Sequence, residues 1–264
     1  MGKGAVPLKT EMPVAWVTGG VSGLGVQIIK LLAQTGYRVA TNYRRSEDKA
    51  ATLQDKMKAD GYESLIVQGD VSESRDVERM VSRIRSEWGR IDVLVCTAGP
   101  LIFERTPLAN FRQEQWHEMI AGNLSSVFYC TQAVLPDMRA AGWGRIITFG
   151  FPDVEHTPAW KGYGAYAAAK AGVASLTKTL ALEEGEYGIT ANMVCPGDIR
   201  HPYKEAPISA ARGKKESKNP VGRPGTGEDI ARVIRFLTER ESDFITGAVI
   251  DVGGGFDNHD FSTS

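Results

Sequence analysis

Cysteine is scarce in this chain. The three present, Cys96, Cys130 and Cys195, each lie in an apolar stretch. Their odd number argues against a disulfide framework, and their spacing suits no metal site. They read as buried free thiols in a reducing compartment, which points to the cytoplasm. An excess of one charge is also missing: 31 Lys and Arg face 32 Asp and Glu, for a net charge of −1. No global field would draw the protein to nucleic acid or to acidic lipid. There is no internal repeat, low-complexity linker or break in composition, so the 264 residues read as one domain. Residues 1–12 carry Lys3 and Lys9 but no apolar core segment. They are expected to form a loose arm, neither a signal peptide nor a membrane span. The domain is then expected over residues 13–255, with a tail at 256–264.

What is present is ordinary for a soluble α/β protein: 24% charged and 42% hydrophobic residues. Residues 14–18 form a short apolar run suited to a buried parallel strand. Then comes Thr18-Gly19-Gly20-Val21-Ser22-Gly23-Leu24-Gly25, followed by Val26, Ile28, Ile29, Leu31 and Leu32 at helical spacing. Strand, glycine loop and helix together aim backbone N–H groups from a helix N-terminus, an arrangement that holds a diphosphate. Gly19 suits the sharp turn, Gly23 the close approach of phosphate, and Gly25 the packing of helix on strand. The alternative is a glycine-rich connection without a ligand.

The second strand, residues 38–43, ends in Asn42-Tyr43-Arg44-Arg45-Ser46, with no carboxylate before Glu47. A carboxylate there would accept from a ribose 2′-hydroxyl; guanidinium groups suit a 2′-phosphate instead. The pattern therefore favours NADP(H) over NAD(H), unless both arginines are merely solvated. A third strand at 65–67 leads to Asp70, placed either to meet an adenine amino group or to cap the helix at 74–88. A fourth at 91–96 breaks at Thr97-Ala98-Gly99-Pro100, where small side chains leave room for a ligand.

Residues 111–138 read as one long helix, with Asn123 inside its apolar stripe. A buried amide mid-helix needs partners; it is either tolerated there, or it distorts the helix and holds a water. A fifth strand follows at 144–150, then a loop at 151–161. The run from Trp160 to Gly172 places Tyr166 and Lys170 four residues apart, on one face of an Ala-rich helix. An ammonium beside a phenol favours the phenolate, so Lys170 is expected to lower the Tyr166 pKa from about 10. A phenol so tuned can give or take a proton. A sixth strand at 189–195 ends at Pro196-Gly197. Residues 201–224 look mobile, like a lid. A helix at 227–238 and a strand at 248–252 complete the pattern.

These motifs in this order resemble the short-chain dehydrogenase/reductase family across about residues 13–255. They are Thr18-Gly19-x-x-x-Gly23-x-Gly25, Asp70, Ala98-Gly99, Asn123, Tyr166-x-x-x-Lys170, Pro196-Gly197 and Asp251-x-Gly253-Gly254. The flavour is similar to the 3-oxoacyl-acyl-carrier-protein reductases. The resemblance implies a doubly wound, parallel, seven-stranded α/β sheet of Rossmann type in a single domain, with a substrate-loop insertion at about 200–224. It implies a homotetramer or homodimer, often packed through the helices at 111–138 and 163–186. It assigns a nicotinamide cofactor to Gly19, Ser22, Gly23, Leu24, Gly25, Tyr43, Arg44, Asp70, Val71, Ala98, Gly99, Tyr166, Lys170, Pro196, Gly197 and Ile199. Tyr166 would be the general acid, Lys170 would bind the nicotinamide ribose and tune the phenol, and Asn123 would hold a relay water. No metal is implied.

The sequence departs from the family at four places. Cys96-Thr97 stands where Asn-Asn is usual, and Cys cannot mimic an amide. Asp198-Ile199-Arg200-His201 replaces the stretch in which a Thr commonly contacts the carboxamide. Asp251-Val252 reverses the usual Val-Asp. Most importantly, the catalytic Ser after the fifth strand is missing. Reading along the strand puts Phe151 there, whereas the family's usual spacing back from Tyr166 gives Asp153. Pteridine reductases of the family use an Asp in that role. The expectation is an NADP(H)-dependent reductase of a ketone or aldehyde, free or carrier-bound, with 3-oxoacyl compounds among the candidates. The competing expectation is a nucleotide-binding relative with weak or lost catalysis. Lys204, Arg212, Lys214, Lys215 and Lys218 would meet an acidic carrier or a phosphorylated substrate, or else simply form a solvated loop.

Overall fold

The architecture comes from a computed structural model that describes residues 12–101 and 104–255. The expected arm, apart from Met12, and the expected tail lie outside the described residues. Seven strands form one sheet in the order β3-β2-β1-β4-β5-β6-β7. They are β1 (Val14–Val17), β2 (Arg38–Tyr43), β3 (Ser64–Gln68), β4 (Val93–Val95), β5 (Gly144–Phe149), β6 (Ile189–Pro196) and β7 (Val249–Val252). Every pairing is parallel. The expected single-domain, doubly wound α/β sheet is therefore borne out.

The helices are α1 (Leu24–Gln34), α2 (Glu47–Ala59), α3 (Ser74–Trp88), α4 (Gln113–Ile120), α5 (Ser126–Ala141), α6 (Gly164–Glu184), α7 (Ile208–Ala211) and α8 (Gly227–Thr238). Side chains alternate across a strand, so β1 sends Val14 and Trp16 to one apolar layer and Ala15 and Val17 to the other. The first layer holds α3, α5 and α6; the second holds α1, α2 and α8. Burial on both faces explains why the strands read as continuous apolar runs. Among the described residues, no helix is long and apolar enough to cross a membrane.

The long helix expected at 111–138 is not continuous. A π turn, Ala121–Ser125, separates α4 from α5. Asn123 Nδ2 donates to the Met119 carbonyl at 3.1 Å, and Ser126 Oγ to the Gly122 carbonyl at 2.7 Å. Both are bonds to the residue four earlier, and they occupy carbonyls that a regular α-helix would offer to its own backbone. Residues 200–224 also differ from a free loop. They contain a turn at Tyr203–Glu205 and α7. Gln27 Nε2 donates to the Glu205 carbonyl at 2.6 Å, Ile208 N to Glu228 Oε2 at 2.7 Å, and Arg223 Nη2 to Asp229 Oδ1 at 2.7 Å. The segment is thus tied to both α1 and α8.

Candidate functional site

The strand order reverses between β1 and β4, and such a switch point opens a crevice at the carboxyl ends of the strands. A cavity of about 950 Å3 lies there, lined from the ends of β1 to β6. That is the upper end of the volume usual for ligand sites. Of the residues expected to hold a cofactor or do chemistry, the cavity wall contains Gly19, Ser22, Gly23, Leu24, Gly25, Arg44, Asp70, Val71, Ala98, Gly99, Asn123, Tyr166, Lys170, Pro196, Gly197 and Ile199.

Tyr43 is not among them. It packs, half-buried, into the α1/α2/α8 layer, because strand alternation turns it away from its neighbour. Asn42 lines the cavity instead. Its Oδ1 accepts from Gly19 N at 3.1 Å, and its Nδ2 donates to the Gly69 carbonyl at 2.9 Å. One amide therefore clamps the glycine loop to the end of β3. Nothing in the sequence separated Asn42 from the arginines beside it.

The glycine loop fits a diphosphate by two observations. A Cβ on Gly25 would come within 2.5 Å of Gly20 Cα, so only glycine lets the loop fold this tightly onto α1. Gly23 has φ +65°, with nothing within 4 Å of where its Cβ would stand. Its N–H donates to Glu205 Oε1 at 2.7 Å. A carboxylate oxygen thus occupies this N–H at the start of α1, as a phosphate oxygen would. Glu205 is far away in sequence, and no local signal marks it.

At the opposite wall, Arg44 Nη1 lies 3.2 Å from Asp70 Oδ2. Burial raises the Asp70 pKa, but hydrogen bonds from Ser72 and the Arg44 guanidinium outweigh it and hold the carboxyl below its usual value. Asp70 also accepts from Ser72 N at 2.9 Å; it does not cap α3, whose N-cap is Glu73.

Tyr166 and Lys170 sit on the same face of α6, with Lys170 Nζ 5.6 Å from the phenol ring centroid. The expected lowering of the Tyr166 pKa is not found. Burial pushes it up to about 12, with Cys195 adding to the rise. Lys170 is itself buried, and burial drops its pKa to about 8. A desolvated ammonium at that distance does not overcome the desolvation of the phenol. Below pH 8 the fold therefore carries a buried charge that the unfolded chain keeps in water. Between pH 8 and about 10 the unfolded state binds more protons, so this group makes stability rise with pH. Lys170→Met is expected to stabilise the protein at pH 7 by about 2–3 kcal/mol and to flatten that slope, read by urea unfolding at several pH values.

Asn123 is fully buried in the π turn. Its Nδ2 also donates to the Pro100 carbonyl at 2.9 Å, while its Oδ1 has no partner among the described residues. That oxygen stands 2.4 Å from where a Gly99 Cβ would be, which accounts for glycine there. An unpartnered buried amide oxygen beside a cavity is a place for a water.

The two candidate residues after β5 are placed differently. Phe151 is 5% exposed and lines the cavity. Asp153 does not line it; its Oδ1 lies 2.6 Å from His156 Nδ1, and its N–H donates to Asp251 Oδ2 at 3.3 Å. With φ +68°, Asp153 turns outward towards β7. Thr148, the other candidate hydroxyl near this strand, is spent on Thr177 at 2.7 Å. Of the basic cluster, Lys204 lines the cavity, whereas Arg212, Lys214, Lys215 and Lys218 do not.

Three comparisons bear on this site. The family model described as Enoyl-(Acyl carrier protein) reductase matches residues 19–257. The chain is 48% identical over 243 residues to "Putative oxidoreductase YtkK" of Bacillus subtilis, covering 91% of this chain and 95% of that one. It is 37% identical to the 3-oxoacyl-[acyl-carrier-protein] reductase FabG of Staphylococcus epidermidis, covering 91% of this chain and 97% of that one. Among solved structures, a "putative 3-oxoacyl-reductase" from Bacillus thuringiensis superposes with a TM-score of 0.87 at 44% identity, over 93% of this chain and 98% of the other. A short-chain dehydrogenase/reductase mutant from Serratia marcescens gives 0.81 at 31% identity, over 92% and 97%. With this fold, this cavity and relatives similar over nine-tenths of its length, the chain belongs to the short-chain dehydrogenase/reductase family of oxidoreductases.

Proposed function

We propose that this protein reduces a ketone or aldehyde with NADPH, using Tyr166 as the general acid. The observation that carries the reading is the pairing of Tyr166 with buried Lys170 in the wall of the cavity that the glycine loop also lines. A nicotinamide cofactor supplies a hydride, two electrons to the carbonyl carbon; the chain's own residues supply the proton and the positions. With a pKa near 12, the phenol holds its proton throughout the physiological range and donates it to the developing alkoxide. Lys170, near pH 8, is placed to restore that proton. A water at Asn123 Oδ1 would link the amine towards solvent. The rate of reduction is then expected to fall as pH rises through about 8, as Lys170 loses its charge.

The glycine loop would hold the diphosphate, with Glu205 giving way at the Gly23 N–H. Arg44, about half-exposed and at the cavity edge, would meet the 2′-phosphate. Arg44→Ala is expected to raise KM for NADPH about tenfold or more, since hydrogen bonds to charged groups are worth about 1.5–3 kcal/mol. KM for NADH should barely move, and a steady-state comparison of the two cofactors checks this.

A second reading keeps the nucleotide and gives up efficient turnover. It is favoured by Phe151, whose ring cannot donate a hydrogen bond to the substrate oxygen. Loss of one such donor costs about 2.7–4 kcal/mol of transition-state stabilisation. Assaying a broad carbonyl panel with NADPH separates the two; undetectable reduction with intact NADPH binding favours the second. The relatives named for 3-oxoacyl reduction make a 3-oxoacyl substrate, free or carrier-bound, one candidate. Assembly as a homodimer or homotetramer is supported by exposed Trp116, Phe128 and Leu182 on α4, α5 and α6. Three buried free cysteines fit a cytoplasmic setting.

A further inference from the structure

We infer that the pocket beside Tyr166 selects carbonyl compounds bearing a flat aromatic or conjugated group, and that Phe151 and Trp160 make the selection. The inference rests on Tyr166 being the group that meets the carbonyl oxygen, as proposed above. Phe151, Trp160 and Tyr163 all line the same cavity as Tyr166. The Phe151 and Trp160 rings are 4.9 Å apart between centroids, at 57°. Trp160 is 6.0 Å from Tyr166 at 75°, and Phe151 is 6.1 Å from Tyr166 at 31°. Tyr163 continues the wall 4.9 Å from Trp160, with the Arg105 guanidinium 6.0 Å above its ring. A carbonyl whose oxygen reaches the Tyr166 hydroxyl brings its substituents within reach of these rings, which line the same cavity.

The wall offers π faces and edges. A saturated chain gains there only from burial. A flat ring gains the same burial and adds tilted or edge-on pairing, which is worth more than area alone. It also has fewer rotors to freeze than an alkyl chain of equal size. The expected preference is about tenfold or more.

A matched pair of 3-oxo esters tests this: ethyl benzoylacetate, with a phenyl on the reacting carbonyl, and ethyl 3-oxohexanoate, with a propyl chain. Two measurements are made on the full-length protein. The first is kcat/KM for each ester with NADPH. The second is calorimetric Kd for each ester in saturating NADP+, which cannot donate a hydride and so leaves the ketone intact. The expected result is an aryl preference of about tenfold or more in both, cut to within about threefold in Trp160→Leu and in Phe151→Leu. Two variants are used because either ring also packs against the core; circular dichroism identifies one that fails to fold. Equal or tighter binding of the propyl ester by the parent protein overturns the inference. Aryl-selective binding without reduction of either ester supports the inference and overturns carbonyl reduction instead, so the two failures are distinguishable.

Discussion

Tyr166→Phe is expected to lower the rate of carbonyl reduction by about 10²–10⁴-fold, the range for loss of a positioned general acid. The change removes one oxygen and leaves the ring that packs against Phe151 and Trp160. Folding and NADPH affinity should therefore stay within about threefold of the parent. The loss should fall on kcat rather than KM, because the proton transfer belongs to the transition state. Raising the pH should not rescue the variant. In the parent, an alkaline fall near pH 8 should remain assignable to Lys170; in the variant the residual rate should not follow it. Stopped-flow measurement of cofactor oxidation at saturating substrate, with fluorescence titration of NADPH, checks both halves. Unchanged kcat in Tyr166→Phe would mean that another group delivers the proton.

Arg145→Met is expected to destabilise the fold by about 3–5 kcal/mol without touching the site. Arg145, the second residue of β5, has no exposed surface. Its guanidinium donates to the carbonyls of Gly144 at 2.9 Å, Gly188 at 3.4 Å, Glu239 at 3.2 Å and Arg240 at 3.1 Å. It also lies 4.8 Å from the Trp143 ring centroid. Burial lowers its pKa, but a guanidinium remains protonated in proteins. Four backbone carbonyls receive the charged group, two of them in the segment that follows α8. Methionine would fill much of the volume but leave those carbonyls without a donor. At about 2–4 °C per kcal/mol for a chain of this size, Tm should drop by roughly 6–20 °C. Calorimetry reads it; a drop of a degree or two would mean that water replaces the guanidinium at little cost. Because the residue is at the opposite end of β5 from the cavity, kcat at 25 °C should be retained.

The regular elements were readable because their causes are local. β2 and α3 fall where the sequence places them: one is an apolar run ending at polar residues, the other an amphipathic stripe. The doubly wound, seven-stranded parallel sheet was what the family resemblance implied, and the strand order came only with the structure. The interruption of the 111–138 helix was readable only as one of two alternatives at Asn123, and the π turn at Ala121–Ser125 decides for distortion. Asn123 advertised a need for partners, but only the structure shows that its Nδ2 is shared between the Met119 carbonyl of its own helix and the Pro100 carbonyl in the segment after β4. The position after β5 was ambiguous because loop length, unlike helical period, has no fixed repeat. Counting along the strand and counting back from Tyr166 gave different residues, and chain geometry chose Phe151 for the wall and turned Asp153 to His156.

By itself the sequence determined the glycine loop ahead of α1 and the pairing of a phenol with an amine on one helix face, and through the family resemblance it implied the doubly wound parallel sheet. The loop and the pair depend on spacing along the chain, and spacing is what a sequence records. Only the tertiary structure decided the electrostatic state of that pair. Burial raises the phenol to about 12 and lowers the amine to about 8, against the sequence expectation. It also decided that Asn42 rather than Tyr43 faces the cavity, that Glu205 reaches Gly23, and that aromatic rings surround Tyr166. Desolvation and contacts between distant segments depend on what surrounds a side chain, and those surroundings exist only once the sheet has closed its layers.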